Sequence, residues 1–110
     1  LDYDPSITEL APPVLVELEV TLPAGTPEGP ISVASDATGW THQPLTRVSP
    51  TLARGTLTVP RGTWFFYKYA RGGWETVEKW PGCAEASNRY GFGRVGVRRD
   101  TVFEWRDVCE

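Results

Sequence analysis

Residues that bind metals or act as nucleophiles are scarce in this sequence. It holds one histidine, His42, and two cysteines, Cys83 and Cys109, and it has no methionine. A structural zinc site takes about four Cys, His or carboxylate ligands, and the sequence contains no cluster of that kind. We therefore predict neither a metal site nor any cofactor.

The two cysteines lie too far apart for a C-x-x-C metal or redox motif. They could be two free thiols or one disulfide. A lone thiol at Cys109, the next-to-last residue, would have little purpose, so we predict a Cys83–Cys109 disulfide that holds the C-terminal strand. Closing such a loop adds about 3 kcal/mol in the chain-entropy model. A disulfide indicates an oxidising compartment, and therefore a secreted or periplasmic protein.

Groupings typical of catalysis are also missing. His42 could pair with Ser35, but the sequence has no Gly-x-Ser-x-Gly nucleophile elbow. Glycoside hydrolysis normally needs two carboxylates that flank one bond. An odd offset separates Glu75 from Glu78, which on a strand would place them on opposite faces, and both are expected to be solvated surface charges. The sequence thus predicts a protein that is not an enzyme.

The chain has no excess of positive charge. Its net charge is −3, whereas domains that bind nucleic acid are usually basic. Neither a membrane span nor a signal peptide is visible in the sequence. We therefore predict no nucleic-acid partner and no membrane span.

A glycine-rich string, Gly91 to Gly96, matches the G-x-G-x-x-G pattern of dinucleotide-binding proteins. That fingerprint requires a helix that opens at the glycines. Here a strand-like segment follows, so we interpret the match as chance. The glycines are expected to leave room for a neighbouring aromatic ring or to mark a bulge.

Short segments of alternating polarity, separated by turns, make up most of the chain. Pro44 is expected to end regular structure after residue 43, and no segment of ten or more residues keeps a helical period. About seven short strands favour an all-β, antiparallel, immunoglobulin-like β-sandwich at residues 14–110, after a linker or N-terminal arm at residues 1–13. The strands are predicted at residues 14–20, 31–35, 52–59, 64–70, 74–78, 90–97 and 101–106.

Alternation within two of these strands predicts which side chains are buried. Trp105 is expected in the core, with Phe103 on its face. The first strand places four aliphatic residues on one face, Val14, Val16, Leu18 and Val20. The aromatic strand directs one set inward, Phe65, Tyr67 and Tyr69, and the other set toward solvent, Trp64, Phe66 and Lys68.

Tryptophan is the residue present in excess. Five tryptophans exceed what one small core needs, and exposed indoles are suited to stacking on sugar rings or partner side chains. Each of the motifs around them is weak alone, but together, in order and with turns between them, they are fairly specific. The four motifs are Thr38-Gly39-Trp40, residues 66–69, residues 71–79 and Ser87-Asn88-Arg89.

This order of motifs resembles the starch- and glycogen-binding modules of amylolytic enzymes and the glycogen-binding domain of the AMP-activated kinase β-subunit, over residues 14–107. Members of that family carry phrases similar to fngW, yeYKf, rGsWetvEk and NR. The resemblance implies that Trp40 and Trp74 stack on glucose rings. It also implies that Lys68 and Asn88 bond sugar hydroxyls, and Asn88 is the only asparagine of the chain.

Each of these residues has a structural alternative. Trp40 could plug the core, Lys68 could be an ordinary exposed strand residue, and Asn88 could cap a turn. Trp80 stands where the family often has a polar residue, so it could form part of the site or cover it. The role of Trp64 is left open. The residues 35–37 also depart from the family pattern, so the loop that carries Trp40 is expected to differ in shape.

The function that follows is a non-catalytic carbohydrate-binding module that recognises α-glucan by aromatic stacking and hydrogen bonds. The alternative is an interaction or structural module that keeps the sandwich but has lost sugar binding. Its aromatic face would then contact an attached catalytic or surface domain. A minimal enzyme is the third and weakest hypothesis.

Overall fold

The computed structural model describes residues 12–109. The arm predicted at residues 1–13 therefore lies outside the described residues, apart from Pro12 and Pro13, which precede the first strand without regular structure. Within residues 12–109 the fold is all-β, with ten strands, three single turns of 3₁₀ helix and no α-helix. That part of the chain contains no helix of the length and apolarity that a membrane span requires.

The strands follow one another with short connections. The 3₁₀ turns cover Asp36–Thr38, Trp74–Thr76 and Pro81–Cys83. The strands are β1 (Val14–Thr21), β2 (Ile31–Ser35), β3 (Gln43–Ser49), β4 (Leu52–Val59), β5 (Trp64–Ala70), β6 (Glu78–Trp80), β7 (Ala84–Glu85), β8 (Arg89–Phe92), β9 (Gly96–Thr101) and β10 (Glu104–Trp105).

Seven of these strands form one curled sheet in the order β8-β5-β2-β3-β4-β1-β9, and β10, β6 and β7 form a small second sheet. The two ends of the seven-stranded sheet, β8 and β9, approach each other across a groove. Across this groove, Arg98 of β9 donates to the Tyr90 carbonyl at 3.1 Å. Arg89 of β8 donates in return to the Thr101 carbonyl at 2.6 Å. Two arginine side chains thus bridge the seam between the ends of the sheet.

One strand pair departs from the predicted antiparallel arrangement. β1 runs parallel to β9, with Val16 opposite Gly96 and Thr21 opposite Thr101, whereas the other strand pairs of the described residues are antiparallel. Parallel neighbours need a long connection, and most of the chain lies between these two strands.

The prediction that Pro44 ends regular structure is wrong, because Pro44 lies inside β3. Its first half pairs with β2 over Gln43–Leu45, and its second half pairs with β4 from Thr46 onward. At Pro44 the strand therefore has a partner on one side only, and proline is tolerated at such an edge position. The same change of partner curls the sheet.

Predicted boundaries are also wrong in the C-terminal half. Of the strand predicted at residues 74–78, Trp74–Thr76 form a 3₁₀ turn and only Glu78 belongs to a strand, as the first residue of β6. The turn forms because the Thr76 hydroxyl donates to the Gly73 carbonyl and accepts from the Arg71 backbone N–H. Residues 98–100 were expected in a connection but belong to β9, while the actual turn covers residues 93–95.

The predicted core alternation is confirmed. Trp105 is 2% exposed, and its indole N–H donates to the Thr26 hydroxyl at 3.0 Å. Phe103, which was expected on the same buried face, is exposed instead. The core includes all seven inward residues predicted for β1 and β5, namely Val14, Val16, Leu18, Val20, Phe65, Tyr67 and Tyr69.

The two cysteines are joined in a disulfide, as predicted. Cys83 and Cys109 have Cα atoms 5.8 Å apart, a normal separation for this bond. The bridge ties the turn after β6 to the segment that follows β10. It therefore closes the small sheet covalently, and it leaves no free thiol among the described residues.

Close approach to an aromatic ring explains one glycine of the G-x-G-x-x-G string. Gly91 lies in β8 directly opposite Phe65, and a methyl group at Gly91 would come within 2.7 Å of the Phe65 ring. The last glycine of the string, Gly96, has open space around it. The string thus reflects packing in the sheet rather than a nucleotide site.

We expect Gly91→Ala to lower the free energy of unfolding by about 1–3 kcal/mol, because overpacking forces the Phe65 ring or the strand to shift. Gly96→Ala is the matched control, expected to change it by less than about 0.5 kcal/mol. Urea denaturation of both variants measures the difference. Equal stabilities would show that the contact with Phe65 does not require glycine.

Candidate functional site

Two of the sequence-predicted site residues lie side by side. The ring centroids of Trp40 and Trp74 are 6.2 Å apart, and the ring planes are inclined by 51°. Trp40 is partly exposed and Trp74 is 42% exposed. We call these two residues the Trp40–Trp74 pair. An inclined pair of open indoles can contact two neighbouring units of a curved ligand at once.

An unusual backbone conformation holds Trp40 in this position. Trp40 has φ of 61° and follows Gly39, with φ of 65°. The left-handed region is disfavoured for a bulky residue by roughly 1–2 kcal/mol, and such strain tends to occur at functional sites. The Trp40 backbone N–H donates to the Ser35 carbonyl at 2.7 Å, which anchors the loop to the end of β2.

His42 packs against the Trp40–Trp74 pair, although none of the four sequence motifs includes it. Its ring lies 4.6 Å from the Trp74 ring in an edge contact, and its Nδ1 is 3.4 Å from the Ser32 hydroxyl. Ser32 and Ala34 alternate along β2 with core residues, yet both are buried. The outer face of β2 is therefore covered, with His42 packed between that face and Trp74.

Lys68 lies on the same face of β5 as Trp64 and Phe66, and Asn88 directly precedes β8. Lys68 lies on β5 opposite Ala34 and is partly exposed. The β5–β8 register ends with Tyr67 opposite Arg89, and the exposed Asn88 directly precedes Arg89. The ammonium group offers three donors and the amide offers both donors and acceptors, so both side chains are suited to bonding hydroxyls.

The ring contacts of Trp80 are with Arg89 and Phe103 rather than with the Trp40–Trp74 pair. Its ring is 5.1 Å from the Arg89 guanidinium and 6.2 Å from the Phe103 ring. Trp80 also borders the groove between the sheet ends, together with Asn88. Of the five predicted residues, the structure brings Trp40 and Trp74 together and places Trp80 over an arginine. Lys68 lies within β5, and Asn88 lies just before β8.

The arginine beneath Trp80 forms a buried ion pair with Glu78. Arg89 donates to both Glu78 carboxylate oxygens, at 2.7 Å and 2.9 Å, and the Tyr69 backbone N–H donates to the same carboxylate at 2.9 Å. Glu78 is 1% exposed, so the prediction of a solvated surface charge is wrong for this residue. Burial opposes the Arg89 charge, but Glu78 outweighs it and raises the Arg89 pKa.

A second polar contact lies under the groove. The hydroxyls of Tyr67 and Tyr69 both donate to Asp100 at 2.7 Å. Burial, and then the Asp100 charge, raises the pKa of both tyrosines above its usual value. The hydroxyls therefore stay protonated donors at neutral pH and fix β5 to β9.

The two carboxylates that follow Trp74 in the sequence, Glu75 and Glu78, differ in their availability to a ligand. Glu78 cannot act as a free acid or base, because its carboxylate is committed to Arg89 and Tyr69. Glu75 is exposed in the turn next to Trp74. Only one carboxylate of the two near Trp74 in sequence is therefore open to a ligand, whereas glycoside hydrolysis normally uses a pair.

Comparison with known proteins finds similarity to segments of two amylopullulanases. The chain is 35% identical over 106 residues to the enzyme of Thermoanaerobacter thermohydrosulfuricus, with 87% of the chain and 7% of the enzyme covered. It is 36% identical over 107 residues to the enzyme of Thermoanaerobacterium thermosulfurigenes, with 87% and 6% covered. The chain thus spans less than a tenth of the length of these relatives. No family model matches the chain.

Two solved glucoamylase structures share the fold. The family 15 glucoamylase from Hypocrea jecorina superposes with a TM-score of 0.61 at 22% identity, covering 86% of this chain and 18% of that chain. The Hormoconis resinae glucoamylase superposes with a TM-score of 0.59 at 18% identity, covering 84% and 18%. At these identities the likeness establishes a common fold for the matched region.

We expect Glu78→Gln to lower the free energy of unfolding by about 3 kcal/mol, because the buried Arg89 charge loses its counter-charge. Glu75→Gln, at an exposed position three residues earlier, is the control and should change stability by less than about 0.5 kcal/mol. Urea denaturation monitored by Trp fluorescence measures both. If the two variants unfold at the same midpoint, the ion pair does not stabilise the fold.

Proposed function

We propose that this chain is a non-catalytic carbohydrate-binding module that recognises α-glucan. The Trp40–Trp74 pair would stack on the apolar faces of neighbouring glucose units, and Lys68 and Asn88 would bond their hydroxyls. The observation that carries the proposal is the inclined arrangement of two solvent-accessible indoles, whose ring centroids are 6.2 Å apart.

The comparisons support α-glucan as the ligand class. Both curated relatives are named as amylopullulanases and both structural neighbours as glucoamylases. The chain matches only a small part of each, which is what an accessory domain attached to a catalytic unit would give. We propose that the curled sheet is an immunoglobulin-like β-sandwich that acts as such an accessory domain. We also propose that the protein is secreted or periplasmic, because a stable disulfide requires an oxidising compartment.

A protein-interaction module remains the competing proposal. It would use the same exposed aromatic side chains, which are also enriched at protein interfaces. The inclined indoles favour sugar over protein, because two rings set at 51° can each stack on one of two neighbouring glucose units of a curved chain.

We expect Trp40→Ala and Trp74→Ala each to weaken binding of maltoheptaose and β-cyclodextrin while the domain stays folded. The loss of one stacking ring should cost about 1–3 kcal/mol, a scale borrowed from base stacking on aromatic side chains. Calorimetric titration measures the affinity, and thermal unfolding checks the fold.

Leu15→Ala is the matched control for these variants, since Leu15 is an exposed apolar residue on β1, far along the sheet from the pair. It should bind like the parent protein. If the parent binds and both tryptophan variants bind equally well, the site lies elsewhere. If the parent binds no sugar at tens of millimolar, the interaction module is the better description.

We also expect the domain to leave bound glucan intact, because Glu78 is committed to its ion pair and no second free carboxylate lies beside Glu75 in the sequence around Trp74. Long incubation of pure protein with maltoheptaose, followed by chromatography, should show only the starting sugar. Shorter oligosaccharides that appear in proportion to the amount of protein would contradict the non-catalytic assignment.

A further inference from the structure

One acidic side chain ties the loop that carries Trp40 to the aromatic strand β5. The Asp36 carboxylate accepts from the Phe66 backbone N–H at 3.0 Å, although Phe66 is 30 residues further along the chain. The other side-chain hydrogen bonds of residues 35–41 in the described structure stay within residues 35–43. Asp36 thus supplies the long-range side-chain hydrogen bond of this loop.

Asp36 lies at the point where β2 stops pairing with β5. The register ends with Ser35 opposite Tyr67, so a continued strand would place residue 36 opposite Phe66 and bond its N–H. The chain enters a 3₁₀ turn at Asp36–Thr38 instead, and the carboxylate replaces the backbone acceptor that this N–H would have lost. The chain can therefore leave the sheet at this point without an unpaired N–H on β5.

The carboxylate is held in turn by the residue before it. The buried Ser35 hydroxyl donates to the same Asp36 oxygen at 3.3 Å and accepts from the Ala37 backbone N–H at 3.1 Å. The Ser35 carbonyl accepts from the Trp40 backbone N–H at 2.7 Å. Hydrogen bonds thus connect the β5 backbone to Trp40 through two adjacent residues.

Trp40 depends on this support because of its backbone conformation. Gly39 and Trp40 have φ of 65° and 61°, and a bulky residue stays in the left-handed region only where the surrounding structure fixes it. A loop released from β5 is therefore expected to relax and to move the indole away from Trp74. A binding site whose competent conformation is only partly populated loses affinity in proportion.

We propose that Asp36 is a positioning residue of the glucan site. Its bond to Phe66 holds Trp40 at the distance and angle from Trp74 at which both rings stack on a curved chain. Asp36 acts through Trp40 and does not contact the sugar. This inference rests on the proposed function, and it adds the residue that pre-organises the site. It also gives a structural role to residues 35–37, where the sequence departs from the family pattern.

The first measurement needs no sugar and follows the indole N–H resonances of ¹⁵N-labelled protein. In Asp36→Ala the Trp40 signal should move, because its ring leaves the field of the Trp74 ring, whose centroid is 6.2 Å away. Asp36→Asn keeps an acceptor oxygen at the same position, so its Trp40 signal should match the parent. Glu17→Ala, which removes an exposed carboxylate from β1, is the control and should also match the parent.

The second measurement is calorimetric titration with maltoheptaose. Asp36→Ala should bind about fivefold more weakly than the parent, which corresponds to about 1 kcal/mol, a typical net value for one hydrogen bond. Asp36→Asn and Glu17→Ala should bind like the parent. In a Trp40→Ala background, Asp36→Ala should cause no further loss, because it acts only through that ring. Thermal unfolding should show that every variant stays folded.

Four results would overturn this inference. An unmoved Trp40 signal in sugar-free Asp36→Ala shows that the bond does not hold the ring, and a loss of affinity in that case assigns Asp36 a direct contact with sugar. An Asp36→Asn variant that binds as weakly as Asp36→Ala shows that the negative charge matters rather than the hydrogen bond. A further loss in the Trp40→Ala background shows that Asp36 acts elsewhere in the site. Failure of Asp36→Ala to fold makes it a residue of the fold alone.

The outcome for the proposed function is separate. If the parent protein binds no sugar, the proposed function is refuted, and the sugar-free spectra then decide by themselves whether Asp36 holds Trp40.

Discussion

The buried ion pair between Glu78 and Arg89 sets the geometry on which the candidate site depends. Glu78 follows Trp74 by four residues, and Arg89 directly follows Asn88. The carboxylate also accepts from the Tyr69 backbone N–H, so one group joins β6, β8 and the aromatic strand β5. Both ends of the segment from Trp74 to Asn88 are therefore positioned relative to Lys68 by a single charged contact. A buried ion pair is costly to desolvate, and here the additional hydrogen bonds satisfy both charges.

Trp80 is explained by the same contact. Arg89 lies between the Tyr69 ring at 5.3 Å and the Trp80 ring at 5.1 Å, and cation–π attraction is strongest when the cation is shielded from water. The indole covers the side of the ion pair that would otherwise face solvent. The disulfide at Cys83, three residues later, anchors this segment to the C-terminal end of the chain. The departure of Trp80 from the family pattern thus has a structural reason, in addition to any contact with sugar.

How far the sequence predicts the structure depends on the range of the interactions. Alternation along β1 and β5 predicted the core, because burial there follows from a two-residue period within a single strand. The prediction at Pro44 was wrong, because a proline ends a strand only where its missing N–H would have paired with a neighbour. At Pro44, β3 pairs on one side only. The burial of Glu78 was not foreseeable from its own neighbourhood, because its partner Arg89 belongs to another strand. The contact between Trp64 and Tyr90 likewise depends on the β5–β8 register. The pairing of Trp40 with Trp74 was implied by the resemblance to starch-binding modules, and their rings do lie side by side.

The proposed stacking of Trp40 and Trp74 on α-glucan can be followed through the indole N–H resonances of the five tryptophans. In a titration of ¹⁵N-labelled protein with maltoheptaose, the signals of Trp40 and Trp74 should shift together and saturate with one affinity. The Trp105 signal should stay in place, because that indole is buried and bonded to Thr26. If both signals stay unmoved at a high concentration of sugar, these two indoles do not bind α-glucan.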